Sequence, residues 1–404
     1  MIEEMLGGVG AAVWGYAYLG YPAALAMLAR HRPDRGPLRP RSGDWPMITV
    51  IIPVFNGEAT IRSTIDSVLA ADYPAARRRI LVVSDASTDG TDAIAASYAA
   101  RNVIVLRLPV RSGKTAAENV AGTRLVGDVA VNVDATIRVH PQALKRLVEA
   151  FDDPTVGVAS GRDVTIGFNG PTKGGGEVAY VNYEMWVRKL ETDVDGIIGA
   201  SGCLFAMRSS LRRAVVPAHL SWDFAAVLLA RQQGFRAVFV PDAICHVPVG
   251  GSLRQEYRRK VRTMARGLAT LHHYRRLLDP RGHGRFAWML ASHKLVRWLT
   301  PVAALVLGAA VLLAAPDHLW ARWGLMAILI GLVLATSGWS WRGRKRPPRL
   351  FAFPAFGAMS IVAGLHAWWL VLTGRTSPVW EPTRRSVAPA SGGEGATSRP
   401  ATPA

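Results

Sequence analysis

Between residues 47 and 134 the chain repeats one pattern: a short unbroken run of apolar, largely β-branched residues that stops at a polar or acidic turn. Met47-Ile-Thr-Val-Ile-Ile-Pro-Val54 is the first run. Arg79-Ile-Leu-Val-Val-Ser84 follows and ends on Asp85-Ala-Ser-Thr-Asp-Gly90. Val103-Ile-Val-Leu106 precedes Arg111-Ser-Gly-Lys114, and Val129-Ala-Val-Asn-Val133 stops at Asp134. Runs without polar alternation are the mark of strands buried on both faces. Segments of helical length separate them, which predicts a parallel α/β sheet. Ligands of such sheets bind at the carboxyl ends of the strands, where Asn56, Asp85, Lys114 and Asp134 fall.

The pattern continues with a helix over 141–151, with Pro141 suited to its first turn, and a strand over 156–161. A Gly-rich loop is expected over 168–177, a helix over 177–190, a small-residue turn entering a strand over 200–207, a helix over 223–233 and a last strand over 237–240. This sheet domain spans 47–250.

Apolar segments flank it. Residues 6–28 carry no charge and are long enough to cross a bilayer; Arg30, His31 and Arg32 follow, which places the next residues in the cytoplasm by the positive-inside rule. The acidic start, Glu3 and Glu4, argues against a cleaved signal peptide. Residues 1–30 therefore read as an N-terminal membrane helix and 31–46 as a Pro- and Arg-rich linker. Residues 251–296 are dense in Arg with Leu and Met at helical spacing, as in an amphipathic helix at the membrane interface. Within 297–373 lie three apolar runs, 298–315, 320–341 and 351–372, with the basic cluster 342–346 after the second and tryptophans at several ends. The Pro/Ala/Ser/Gly-rich remainder, 374–404, reads as a disordered tail. The expected location is the inner (cytoplasmic) membrane, multi-pass, with the sheet domain cytoplasmic.

The formal net charge is +19, from 48 Lys and Arg against 29 Asp and Glu. With apolar segments this long, cytoplasmic flanks and phosphate contacts account for it better than nucleic acid does. Two cysteines, Cys203 and Cys245, make neither a disulfide framework nor a metal spacing.

The first turn, Pro53-Val-Phe-Asn-Gly-Glu58, is not a G-x-G-x-x-G; Gly113-Lys114 lacks the upstream glycine of a Walker A loop; no G-x-S-x-G elbow occurs. What is present is a set of carboxylates at strand ends. Asp89 fits turn chemistry and helix capping as well as function. Asp134 ends a wholly apolar strand, where an unpaired carboxylate would be costly and a metal ion or lysine would offset the cost. Asp223 opens a helix and could be its N-cap.

In order and spacing, Ile51-Ile-Pro-Val-Phe-Asn-Gly-Glu58, Val82-Val-Ser-Asp-Ala-Ser-Thr-Asp-Gly90, Gly113-Lys114 with Asn119, Val131-Asn-Val-Asp-Ala135, Ser201-Gly-Cys203, Ser221-Trp-Asp-Phe224 and Gln255-Glu-Tyr-Arg-Arg259 resemble the membrane-embedded family 2 glycosyltransferases. These include the synthases of cellulose, chitin, hyaluronan and poly-N-acetylglucosamine and the nodulation chitin-oligosaccharide synthase. The resemblance implies a GT-A catalytic domain, a Rossmann-like mixed sheet of α/β class, with N- and C-terminal transmembrane helices. It implies a nucleotide-sugar donor, commonly a UDP-sugar, with Pro53, Asn56, Glu58 and Asp85 lining the nucleotide pocket and Lys114 near it. Asp134 stands for the first Asp of the family's D-x-D, which holds Mg²⁺ or Mn²⁺ against the diphosphate. Asp223 stands for the general base. Gln255, Arg258 and Arg259 stand at Q-x-x-R-W, which closes over donor and acceptor.

Three positions depart from the family pattern: Thr136 stands where D-x-D has its second Asp, Trp222 where an acidic residue precedes the base, and Arg259 where Q-x-x-R-W has Trp. Ser292-His-Lys294 and the Arg-rich run 258–262 look closer to a subgroup. The expected activity is inverting transfer to a growing cell-surface or exported polysaccharide, with possible export partners. The alternatives are a single transfer to a polyprenyl phosphate or other membrane lipid, and a degenerate transferase serving as an assembly subunit. His272, His273, His283 and His293 lack ligand spacing and read as interfacial polar positions. Tyr183 and Trp186 could line a sugar subsite or pack in the core.

Overall fold

The structure is a computed structural model that describes residues 2–30, 44–167, 170–171, 176–248, 253–341, 348–376 and 379. Most of the linker, most of the Gly-rich loop, the basic cluster 342–346 and most of the C-terminal tail expected from the sequence lie outside the described residues.

Among the described residues nine strands form one sheet: β1 (Ile48–Val54), β2 (Arg78–Ser84), β3 (Val103–Arg107), β4 (Val129–Val133), β5 (Arg138–Val139), β6 (Val156–Gly167), β7 (Gly170–Pro171), β8 (Leu204–Arg208) and β9 (Arg236–Pro248). Their order is β3-β2-β1-β4-β8-β6-β9-β5, with β7 paired to β6. The four runs that open the domain are the parallel strands β1 to β4. Beyond them the sheet is mixed, because β8 runs antiparallel to β4 and to β6. β1 is buried at all seven positions, and each of its large aliphatic side chains contributes roughly 1.5–3 kcal/mol of burial. Its one hydroxyl inside the sheet, Thr49, is satisfied by donating to Val126 O at 2.7 Å.

Strand order reverses between β1 and β4: β2 and β3 lie on one side of β1, β4 and β8 on the other. This switch point opens a crevice at the carboxyl ends of the strands. The antiparallel β8 matters for what fills it. Its register pairs Leu204 with Val133, so the turn before β8 arrives where β4 ends, and Asp134 N donates to Cys203 O at 2.9 Å.

Three helical stretches, Pro280–Ala314, Leu319–Trp339 and Arg349–Leu372, are long and apolar enough to cross a membrane. The N-terminal segment expected as a span is helical from Ile2 to Arg30 through a π-helical turn at Tyr16–Gly20; it is not among those three. It lies along the helix Arg297–Ala314. A side chain at Gly10 would press on Ala303 O and Leu307 Cβ, both at 3.0 Å, so glycine permits the close approach of the two backbones. The Arg-rich helix Leu253–His273 packs one face on Arg349–Leu372 and reaches the helix Trp222–Gln232 with its other end.

Gly127 sits just before β4 with φ +87°, and a Cβ there would lie 2.0 Å from Met47 O. Gly234 has φ +81° with open space around it. Gly234→Ala is expected to cost about 1 kcal/mol of backbone strain alone, whereas Gly127→Ala adds a backbone collision and is expected to cost at least about 2 kcal/mol. Thermal unfolding of the two variants in detergent, followed by intrinsic fluorescence, checks the order.

Candidate active site

The loops after β1 and β2 are joined by polar side chains. Asn56, held at φ 48°, accepts from Thr88 N at 2.8 Å with its side-chain oxygen, and its own amide donates to Ser87 Oγ at 3.1 Å. Glu58 accepts from Gly90 N at 3.1 Å, and Glu58 N donates to Asp89 at 3.1 Å. Asp89 also accepts from Thr91 N at 3.1 Å; burial pushes its carboxyl up, but the Thr91 hydroxyl and these amides outweigh it and hold it below the usual range. Asp89 therefore makes the turn bonds open to it in the sequence, one residue ahead of Gly90, the N-cap of the helix Thr91–Ala96. Asp85 is buried, and its two oxygens accept from Ser112 N at 2.7 Å and Gly113 N at 2.8 Å. Those amides immediately precede the helix Lys114–Gly122, so Asp85 fixes the point from which Lys114 projects.

Lys114 crosses the switch point. Its ammonium donates to Gly202 O at 3.1 Å and stands 3.5 Å from Asp134 Oδ2 and 4.0 Å from Glu118 Oε1. Burial alone would lower this lysine, but the fields of Asp134, Glu118 and Asp223 outweigh it and hold the ammonium above its ordinary range. The Thr136 hydroxyl donates to Asp134 Oδ1 at 3.0 Å, so Thr136 stands beside the carboxylate. Asp223 lies in the first turn of Trp222–Gln232 rather than at its N-cap; it accepts from the Ser221 hydroxyl, and a Cβ at Gly202 would be 3.0 Å from Asp223 Oδ2. The turn Ser201–Cys203 thus touches Asp134, Lys114 and Asp223 at once.

Behind these groups runs a buried column. Glu118 accepts from Asn132 Nδ2 at 2.8 Å and pairs with Arg212 at 3.4 Å, both side chains almost fully buried. The Arg212 guanidinium stacks over the Trp222 ring at 4.1 Å. That contact accounts for tryptophan beside Asp223: it roofs a buried arginine. Burial raises the Glu118 carboxyl and lowers Arg212 to about 10. The loop 218–221 that carries Asp223 is held from the helix Leu253–His273, where Arg266 donates to Ala218 O at 3.1 Å and Thr270 accepts from Ser221 N at 3.0 Å.

A cavity of ≈ 640 Å³ begins at Lys114, Asp134 and Asp223 and continues to Pro301, Phe356 and Gly364 on the apolar helices. Of the residues singled out in the sequence, Lys114, Asp134, Thr136, Cys203, Trp222, Asp223, Arg259 and Lys294 line it. Pro53, Asn56, Glu58 and Asp85 lie at the ends of β1 and β2 outside its wall, and Gln255 and Arg258 lie on the same helix as Arg259 but outside the wall. Arg259 forms a two-point pair with Glu256 at 2.7 and 2.6 Å. No group of three His, Cys, Asp or Glu able to hold a metal occurs among the described residues. Asp134 with Thr136 offers one carboxylate and one neutral oxygen, which fits a hard cation that takes most of its ligands from phosphate and water.

Sequence reading missed the middle of the cavity. His293, expected at an interface, is buried between Glu191 and Glu184, at 3.2 Å from Glu184 Oε2. Arg297 pairs with Glu184, and Tyr21 donates to Glu191 at 2.7 Å. Burial pushes the Glu184 carboxyl up, but Arg297 and His293 overcome it and hold it well below its usual value. Trp14 and Tyr18 of the N-terminal helix line the same space, and Tyr183 packs near Tyr18, with ring centres 6.4 Å apart. The one sequence signal was Ser292-His-Lys294 directly before an apolar run.

Replacing Arg212 with Met leaves Glu118 buried near Asp223 with Lys114 and Asn132 but without its guanidinium partner. It is expected to cost about 3–5 kcal/mol, while pairing it with Glu118→Gln restores part of that loss. Chemical denaturation of the single and double variants measures the difference.

Residues 49–215 match the sequence profile described as Glycosyl transferase family 2. An N-acetylglucosaminyltransferase of Rhizobium sp. (strain N33) is 29% identical over 239 residues, 53% of this chain and 52% of that protein. A hyaluronan synthase of Streptococcus pyogenes is 37% identical over 123 residues, 28% of this chain and 29% of that one. The chain thus spans about half the length of the first relative and less than a third of the second. The mannosyltransferase PcManGT from Pyrobaculum calidifontis, solved in complex with GDP-Man and Mn²⁺, shares the fold with a TM-score of 0.72 at 21% identity, over 92% of this chain and 99% of that one. The mixed sheet is of the GT-A type.

Proposed function

We propose, from the match of residues 49–215 to the Glycosyl transferase family 2 profile, that the protein is a membrane-embedded glycosyltransferase of that family. It moves a sugar from a nucleotide-sugar, a UDP-sugar by the family resemblance, to a hydroxyl of a glycan or glycolipid acceptor at the membrane, with inversion at the anomeric carbon. The observation that carries this reading is the convergence of Lys114, Asp134 and Asp223 at one end of a cavity whose other end lies between apolar helices.

The nucleotide belongs in the crevice between β1 and β4, near Pro53, Asn56, Glu58 and Asp85. Lys114 supplies positive charge for the leaving diphosphate. A divalent cation, Mg²⁺ or Mn²⁺, held by Asp134 with Thr136 beside it, would neutralise the same diphosphate. Asp223 takes the proton from the acceptor hydroxyl, and its Oδ2 lies against Gly202, clear of the Ser221 bond made by Oδ1. Attack from the side opposite the leaving group is a single displacement. Arg259, paired to Glu256, orients charge along the acceptor side. The sheet domain lies on the cytoplasmic side of the inner membrane, with Arg30 and the cluster 342–346 as flanks. Polymer growth toward a cell-surface or exported polysaccharide, with export partners, and a single transfer differ in product: a ladder or one species.

Asp223→Asn is expected to lower turnover by about 10²–10⁴-fold while nucleotide affinity changes little. Labelled-sugar transfer by the purified protein in lipid, beside calorimetric titration of the nucleoside diphosphate, reads both. Unchanged turnover would remove Asp223 from the base role and revive the assembly-subunit reading. Asp134→Asn is expected to raise the Mn²⁺ concentration needed for half-maximal nucleotide binding by about tenfold or more, since one of the few protein ligands loses its charge.

A further inference from the structure

The acceptor can be specified further, on the premise of the transfer just proposed. Lys294 lines the middle of the cavity, in the π-helical segment Ala291–Val296 that leads into Arg297–Ala314. Such widened turns are frequent at functional sites. Its ammonium stands 5.2 Å from the centre of the Phe224 ring, next to the proposed base, and 5.8 Å from that of Trp298. Among the described residues no carboxylate pairs with it: Glu184 and Glu191 are taken by Arg297, His293 and Tyr21. Arg188 lines the same space; its Nη2 reaches Ala200 O at 3.4 Å, and its Nη1 is buried without a hydrogen-bond partner. Glu184 and Glu191 lie close enough to act on the Lys294 charge, but both are already bound by Arg297, His293 and Tyr21, so Lys294 and Arg188 keep positive charge facing the cavity, where an anion is stabilised.

The distance to the base is set by one turn. A Cβ at Gly199 would be 3.2 Å from Lys294 Nζ, and one at Gly202 would be 3.0 Å from Asp223 Oδ2. Both contacts are made by one short turn of chain, and both groups face the same cavity. Beyond Lys294, Met264, Pro301, Phe356 and Ile361 line the wall, with the Lys260 ammonium 4.6 Å from the centre of the Phe356 ring, and a Cβ on Gly357 would meet open space. This end lies between two membrane-length helices, where a hydrated sugar chain would lose its hydrogen bonds and an acyl or prenyl chain would lose nothing.

We propose that the acceptor is a lipid whose hydroxyl-bearing headgroup is joined to its apolar chain through a phosphate, with Lys294 and Arg188 receiving the phosphate, Asp223 the hydroxyl, and the groove along Gly357 the chain. In the transfer the headgroup O–H gives its proton to Asp223 and its oxygen bonds to the anomeric carbon. The bond from that carbon to the diphosphate oxygen breaks, and the nucleoside diphosphate leaves with the electron pair.

The test uses the full chain in phosphatidylcholine vesicles carrying one of four lipids: phosphatidylinositol, an isoprenyl-diphosphate-linked N-acetylglucosamine, a neutral glucosyl-diacylglycerol, or an isoprenyl monophosphate without a hydroxyl. Labelled nucleotide-sugars are the donors. A product of fixed size with at least one of the first two, and none with the last two, is expected. For the accepted lipid, Lys294→Gln is expected to raise KM by about tenfold or more, as loss of a charge-assisted contact does, without a parallel rise in donor KM, and Lys294→Arg to recover most of it. Gly357→Leu, whose Cβ meets no atom within 4 Å, is expected to raise the lipid KM in the same way and keeps the test alive if the lysine variants do not fold. Equal transfer to the neutral glycolipid or to the monophosphate, a growing ladder, no transfer to either of the first two lipids while donor is still hydrolysed, or an unchanged lipid KM in both variants overturns the proposal and leaves the glycosyl-transfer reading standing. Absence of any donor binding or hydrolysis overturns that reading, and this inference with it.

Discussion

One ammonium group ties the two halves of the sheet together. Lys114 projects from the parallel half and bonds Gly202 O at the entrance to β8, in the antiparallel half, while facing Asp134, Glu118 and the field of Asp223. Three carboxylates around one lysine would repel one another strongly in a low-dielectric site. Arg212 offsets this from behind by pairing with Glu118, and Trp222 covers Arg212. The column therefore makes it affordable to keep Asp134 and Asp223 close together and facing open space.

The placement of the proposed base depends on elements outside the sheet. Asp223 opens a helix whose preceding loop is held by Arg266 and Thr270, and the helix that carries those two residues packs along Arg349–Leu372, where Tyr257 bonds His366 at 2.8 Å. A shift of the apolar helices would be passed to the base through one rigid element. On the opposite wall, Tyr21, Glu191, His293, Glu184 and Arg297 form a continuous buried network. It binds the N-terminal helix to the sheet domain and occupies Glu184 and Glu191, the carboxylates that act on Lys294.

The N-terminal helix shows how close backbone packing and function meet. Gly7 and Gly10 let it lie against Arg297–Ala314, its π-helical turn places Tyr16 against Ser292 of the second π-helical turn at 2.7 Å, and Trp14 and Tyr18 then reach the cavity. Tyr18 and Lys294 each lie within a π-helical segment, a widened turn that is frequent at functional sites.

The sequence by itself determined the strands and much of the donor end. The runs from Met47 to Asp134 had to be buried on both faces because they carry no polar alternation, and a parallel sheet puts Asp85, Lys114 and Asp134 at one edge by its connectivity alone. The three C-terminal apolar stretches were equally legible from their length. Only the tertiary structure decided the antiparallel turn of the sheet at β8, the meeting of Asp223 with that edge, the reason for Trp222, and the burial of His293. Each of these depends on partners far apart in the chain: Glu118 with Arg212, Glu184 with Arg297, Thr115 with Arg266. Local periodicity reports which face of an element is buried. It carries no record of which distant charge will be buried against it.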